Sequence, residues 1–306
     1  MIIKEFIEEL HQKGINVSFS AGKLKYSGPE ENITPEIIEK LKKYKGKLIK
    51  HFWPKEFSNL MPINPEGNNT PIFIVHGDNS NYIISEYLGS DQPVYGYFHP
   101  GSEGEGIHFR SVEEMAASYL EVLLAVCPSG PYYLIGFSFG GVIAFEMAVQ
   151  LQKAGNKVPF LVIIDSISPL AIEPIERQDN IFKAIRINIL RPLRRGLKRK
   201  IKLLICNFYV LIKRPIPIER RSYYLWTRYA TLTSRYSPAK FDGDILLFRT
   251  TGNPFSEKYL GWGTLANNIR KVEIDGKHLE LFIGKDKTER LQKEIATYLA
   301  HAKGSN

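Results

Sequence analysis

The sequence predicts an α/β fold: a mostly parallel sheet with a late helical insertion, preceded by a small α+β module. Three observations carry this. Short, wholly apolar runs at 72–75, 160–164 and 245–248 are what strands buried on both faces show. Another such run, Tyr132 to Ile135, passes through a glycine-rich turn directly into a stretch of helical character. The first sixty residues follow a different order, helix, hairpin and helix.

From the N-terminus, Ile2 to Leu10 puts apolar residues at helical spacing with charges between, and Lys13-Gly14 stops it. Ile15 to Phe19 and Lys23 to Tyr26 alternate apolar with polar residues across Ala21-Gly22, a hairpin signature. Thr34-Pro35-Glu36 opens a second helix as N-cap, N1 proline and first-turn acid, with Ile37, Ile38, Leu41, Leu48 and Ile49 as its apolar stripe. So small a module has a small core and modest stability. Its element order, with Gly-Ile-Asn-Val at 14–17 and Leu24-Lys25-Tyr26, resembles the TubC type of N-terminal docking domain. That resemblance implies capture of the C-terminal tail of an upstream synthetase subunit. An extended tail would add to the hairpin edge, with Lys23 and Lys25 attracting its acidic residues. Residues 1–54 are thus expected as the docking domain and 55–70, rich in Pro, Asn and Gly, as a linker.

The main domain is expected over 71–301. Gly136-Phe137-Ser138-Phe139-Gly140-Gly141, between a strand and the helical run 142–151, reads as a nucleophile elbow, which makes the fold an α/β-hydrolase. Small residues at 136 and 140 let strand and helix approach closely enough to hold Ser138 exposed above the sheet. A serine needs a histidine to take its proton and a carboxylate to orient that histidine, and in this fold they follow in the order acid, then base. After Ser138 the chain has His278 and His301. His301 falls in the tail, beyond the helical pattern 288–299, whereas His278 lies on a loop at a strand end. Asp165 ends the buried strand 160–164. The next strand end, Thr250-Thr251-Gly252-Asn253, supplies no carboxylate, and Asp242 and Asp244 stand at the wrong end of that strand. The oxyanion requires backbone N–H donors. Phe139 is expected to give one and Asp78 the other, with Gly77 the close alternative and His76 bracing the loop.

These residues resemble the type I thioesterase domains that terminate nonribosomal peptide and polyketide assembly lines. The likeness runs from about Pro71 to Leu299 and rests on 91–96, 111–116, 130–141 and 163–166. It departs at His76-Gly77-Asp78-Asn79, where relatives often carry a His-Pro-Ala-Gly or His-Gly-Gly-Gly loop. The resemblance implies an acyl or peptidyl carrier protein as partner, whose phosphopantetheine thioester passes its chain to Ser138. Release then goes to water or an internal or external nucleophile. No metal or cofactor of its own is implied. A proofreading thioesterase and a non-catalytic docking adaptor are the alternatives.

Between Asp165 and the strand at 245, residues 170–236 are expected to form a helical lid. Its segment 186–205 is intensely cationic and is expected to hold most of the chain's net charge of +9. It would steer an acidic carrier protein, lie at a lipid interface, or be a solvated face whose apolar side packs on the sheet. No nucleic-acid fold or aromatic platform accompanies the charges, and the apolar run 203–212 is too short to span a membrane. With 306 residues there is room for one such domain and the small module. The two cysteines have no metal-ligand spacing, and charges at Lys4, Glu5, Glu8 and Glu9 exclude a signal-peptide core. A cytoplasmic location is expected.

Overall fold

A computed structural model describes residues 3–20, 22–57, 59–171 and 190–304, with 190–199 as backbone only. The N-terminal module consists of α1 (Ile3–Gln12), the hairpin β1 (Asn16–Ser20) and β2 (Lys23–Ser27), α2 (Pro35–Lys43) and α3 (Lys45–His51). Thr34 caps α2 as expected, its hydroxyl accepting from the Ile37 amide at 3.3 Å. The expected second helix is two, because the chain breaks at Tyr44 between α2 and α3. Phe6, Leu10, Ile15, Ile37, Leu41 and Leu48 form the module's own core.

Among the described residues, seven further strands form one sheet: β3 (Leu60–Asn64), β4 (Ile72–Val75), β5 (Val94–Tyr97), β6 (Tyr133–Phe137), β7 (Phe160–Ile164), β8 (Asp244–Thr250) and β9 (Asn268–Ile274). The order across the sheet is β3-β5-β4-β6-β7-β8-β9, parallel except for β3. The expected linker is therefore corrected in part. Leu60–Asn64, within 55–70, is the antiparallel edge strand on β5, and Leu60 and Ile63 are buried. Trp53 ties the module to this edge, donating from Nε1 to the Leu60 carbonyl at 2.8 Å. Its ring lies 5.0 Å from Phe19 and stacks at 5.6 Å on Tyr95 of β5.

The strands alternate their side chains between two cores. Phe73, Val75, Leu134, Leu161 and Leu247 face α5 (Val112–Val126) and α6 (Phe139–Lys153). Ile74, Ile135, Val162 and Phe248 face α4 (Ser80–Leu88) and α9 (Lys285–Gly304). Helix α9 includes His301, which the sequence pattern had placed beyond it. Between β7 and β8 stand α7 (Leu190–Leu211) and α8 (Ile218–Thr233), the lid helices. The expected lid segment 172–189, and with it the start of the cationic run, lies outside the described residues.

The chain leaves β4 toward β5 on one side and returns to β6 on the other. Such a reversal opens a crevice at the carboxyl ends of the two strands, where open α/β sheets bind ligands. The loop after β4 and the turn after β6 meet there.

Candidate active site

Ser138 stands between β6 and α6 with φ 54° and ψ −126°, a conformation strained for a residue with a Cβ. Neighbouring glycines permit it. A Cβ on Gly136 would come within 2.3 Å of the Gly140 carbonyl oxygen, and one on Gly140 within 2.1 Å of the Val75 carbonyl oxygen. The strand, the turn and β4 are thus in backbone contact. The Ser138 amide donates to the Ile164 carbonyl at 3.0 Å, which pins the turn to β7. Phe139 is the first residue of α6, so its N–H is among those at a helix N-terminus without an intrahelical partner.

Asp165, immediately after β7, has a fully buried side chain that accepts four hydrogen bonds. Oδ1 takes the Thr250 amide at 2.9 Å and Asn253 Nδ2 at 3.0 Å, and Oδ2 takes Thr250 Oγ1 at 2.9 Å and His278 Nδ1 at 2.7 Å. Burial pushes the carboxyl pKa up, but the bonds from His278, Thr250 and Asn253 outweigh it and hold the group below its ordinary value. The carboxylate can only accept, so His278 carries its proton on Nδ1 and Nε2 is left as a base. The ring is held flat against Phe137 at 4.8 Å, with Phe282 edge-on to Phe137. It sits in the short 3-10 turn His278–Glu280 that follows β9.

Ser138, Phe139 and His278 line two cavities, of about 510 and 400 Å³. The first runs under the loop after β4, where Gly77 and Asp78 lie. The second runs past Asp165, Ser166 and Asn253. Trp226 and Tyr229 of α8 border both, and Tyr229 stacks on Phe139 at 4.1 Å.

Asp78 has φ 44°, so the expected donor position is a second strained residue at the site. Its carboxylate, half exposed, stands 3.7 Å from His99 Nε2, and His99 Nδ1 is 2.9 Å from the Tyr229 hydroxyl. This links the loop to the lid. His76 is buried, bonded through Nε2 to Tyr119 Oη at 2.8 Å, and burial together with His99 keeps its pKa well below the usual histidine value. It braces the loop and holds no place beside Ser138 in the hydrogen bonding described. Lys23 and Lys25 are exposed on β2, 111 or more residues along the chain from the elbow and on a separate sheet.

Sequence reasoning missed Thr250 and Asn253, because a triad pattern requires only a carboxylate and a histidine and says nothing of the neutral groups that donate to the carboxylate. A hydroxyl and an amide just past a neighbouring strand end were the available signal. His99 and Tyr229 gave none, since they lie 21 and 151 residues from Asp78 in the chain.

Residues 82–184 match the family described as thioesterase domain, and residues 3–53 the TubC N-terminal docking domain. Malpibaldin synthetase of Mortierella alpina is 31% identical over 254 residues, which is 78% of this chain and 4% of that protein. Atromentin synthetase of Tapinella panuoides is 33% identical over 134 residues, 42% of this chain and 14% of that one. The chain spans a small part of the length of the curated relatives it matches. Among solved structures, the NocB thioesterase domain from the nocardicin cluster superposes with a TM-score of 0.56 at 24% identity, covering 81% of this chain and 99% of that one. SrfTE, a thioesterase domain studied for cyclization of the lipopeptide antibiotic surfactin, gives 0.53 at 15% identity, covering 80% and 96%. Those two likenesses concern fold. The chain therefore joins a TubC-type N-terminal docking domain to a thioesterase domain of the α/β-hydrolase fold, homologous to segments of malpibaldin synthetase and atromentin synthetase.

Proposed function

We propose that this chain releases an acyl or peptidyl chain from the phosphopantetheine thioester of a carrier protein through an ester on Ser138. The observation that carries the reading is the 2.7 Å bond from His278 to a fully buried, fully hydrogen-bonded Asp165, beside cavities that Ser138 also lines. Ser138 Oγ attacks the thioester carbonyl while His278 Nε2 takes its proton. The oxyanion is held by the N–H groups of Phe139 and Asp78. Collapse breaks the carbon–sulfur bond, and His278 returns the proton to the departing thiolate. A water, hydroxyl or amine then attacks the ester, giving its proton to His278, which passes it to Ser138 Oγ as the acid, ring or amide leaves. Two cavities meeting at Ser138 suit a reaction in which the acyl chain and the carrier's arm must lie on different sides of one carbon.

The hairpin supports a docking role for the N-terminal module. An acidic C-terminal tail of an upstream subunit would add to an open edge beside Lys23 and Lys25. Free Cys127 and Cys206 suit the reducing cytoplasm.

The test is intact-protein mass spectrometry with a panel of acyl and peptidyl N-acetylcysteamine thioesters and with the same chains on a carrier protein. Wild type gains the acyl mass and releases product, and Ser138→Ala does neither. Acylation retained in Ser138→Ala would sink the assignment. For the docking role, titration with the upstream tail peptide should weaken in Lys23→Glu/Lys25→Glu, and unchanged affinity removes those residues from the interface.

A further inference from the structure

Helix α7 has two unlike faces. Toward the body, Leu203 and Val210 are half-buried and Cys206 is fully buried, packed on the core of α5 and α6. Outward, Ile201, Leu204, Phe208 and Leu211 are 45%, 65%, 57% and 78% exposed. Their spacing of three and four residues puts them on one side of the helix. Ile218, opening α8, is also 77% exposed. Scattered exposed apolar residues need no explanation, but a continuous stripe of them marks an interaction surface.

Charge identifies what covers it. The 22-residue sequence of α7 holds seven lysines and arginines and no carboxylate. Lys200 is exposed beside the stripe, as are Lys213 and Arg214 just past its end, whereas Lys202 turns to the other side and sets its ammonium over the Tyr223 ring of α8 at 5.7 Å. We propose that this face of α7 seats on an anionic lipid surface, the stripe reaching the headgroup–acyl boundary and the cations meeting lipid phosphates. Among the described residues no helix is long and apolar enough to cross a membrane, so α7 lies in the surface.

A second copy of the chain fits less well, since two such helices would bring cations together with no carboxylate on α7 to pair them. A substrate-bearing carrier does not need the stripe. None of its four residues lines either cavity at Ser138, which α8 borders.

The test is co-sedimentation of the full chain with vesicles of phosphatidylcholine, alone or mixed with phosphatidylglycerol, at low and high salt. Wild type should bind the mixed vesicles, lose binding as salt rises, and scarcely bind phosphatidylcholine alone. Leu204→Glu/Phe208→Glu should lose about tenfold or more of that partitioning with circular dichroism and melting temperature unchanged. Leu204→Ser/Phe208→Ser serves if the glutamates disturb folding. Equal partitioning of wild type and a folded variant overturns the proposal, as does no binding to the mixed vesicles. So does a concentration-dependent dimer, or binding to an acidic carrier protein alone, that the variant abolishes while vesicles stay unbound.

Discussion

Helices α6 and α7 are both rich in large apolar side chains, and they meet opposite fates. Phe145 of α6 is fully buried, whereas Phe208 of α7 is 57% exposed. Helix α6 lies against the sheet on one side and against α5 and the segment around Phe241 and Trp262 on the other, with Phe145 4.8 Å from the Trp262 ring. Even its Glu146 is buried, accepting from Tyr236 Oη at 2.6 Å and Gln150 Nε2 at 2.8 Å. Helix α7 has the body on one side only. Apolar content therefore does not identify a core helix; what covers its second face does.

The comparison can be broken most severely at the elbow. Gly140→Val places its Cβ against the Val75 carbonyl, where backbone cannot yield, so the folded yield should collapse or unfolding free energy fall by about 3 kcal/mol or more in urea titration. Next comes Asp165→Asn, which removes the acceptor that sets the His278 tautomer. On the proposed function, turnover of an acyl thioester should drop by roughly 10⁴-fold with little change in substrate affinity. The same variant has a pH signature. The folded carboxyl lies below its ordinary value, so it stabilises the fold above the usual carboxylate range and that contribution is lost as pH falls through the folded value. Melting temperature against pH should be flatter at the acid end in Asp165→Asn than in wild type.

Phe145→Ala and Phe208→Ala make the contrast quantitative. The first should cost about 4 kcal/mol in urea unfolding, by lost burial and a cavity, and the second stay within about 0.5 kcal/mol. Equal costs would mean α7 packs as α6 does. Asn253→Ala sits between them in consequence, leaving Asp165 three of its four donors, with an expected loss of about tenfold in turnover and a small change in stability.

Some of this was legible in the sequence because the signals are local. Elbow glycines, an apolar strand ending in Asp165 and the Thr34-Pro35 helix start each act over a few residues, and the structure places Asp165 and His278 in contact although 113 residues separate them. The edge strand Leu60–Asn64 escaped, since a proline at 62 and a Pro, Asn and Gly background mask a strand whose stability comes from pairing with β5. Thr250 and Asn253 escaped because neutral donors have no motif.

The sequence by itself determined the fold class, the strained serine turn and the first helix and hairpin of the N-terminal module, because backbone sterics and hydrophobic period are properties of short segments. Only the tertiary structure decided which donors satisfy Asp165, that Trp53 bridges module and sheet, that Asp78 reaches the lid through His99, and that the apolar side of α7 faces outward. Each of those depends on burial and on partners far apart in the chain, and neither exists until the sheet has brought them together.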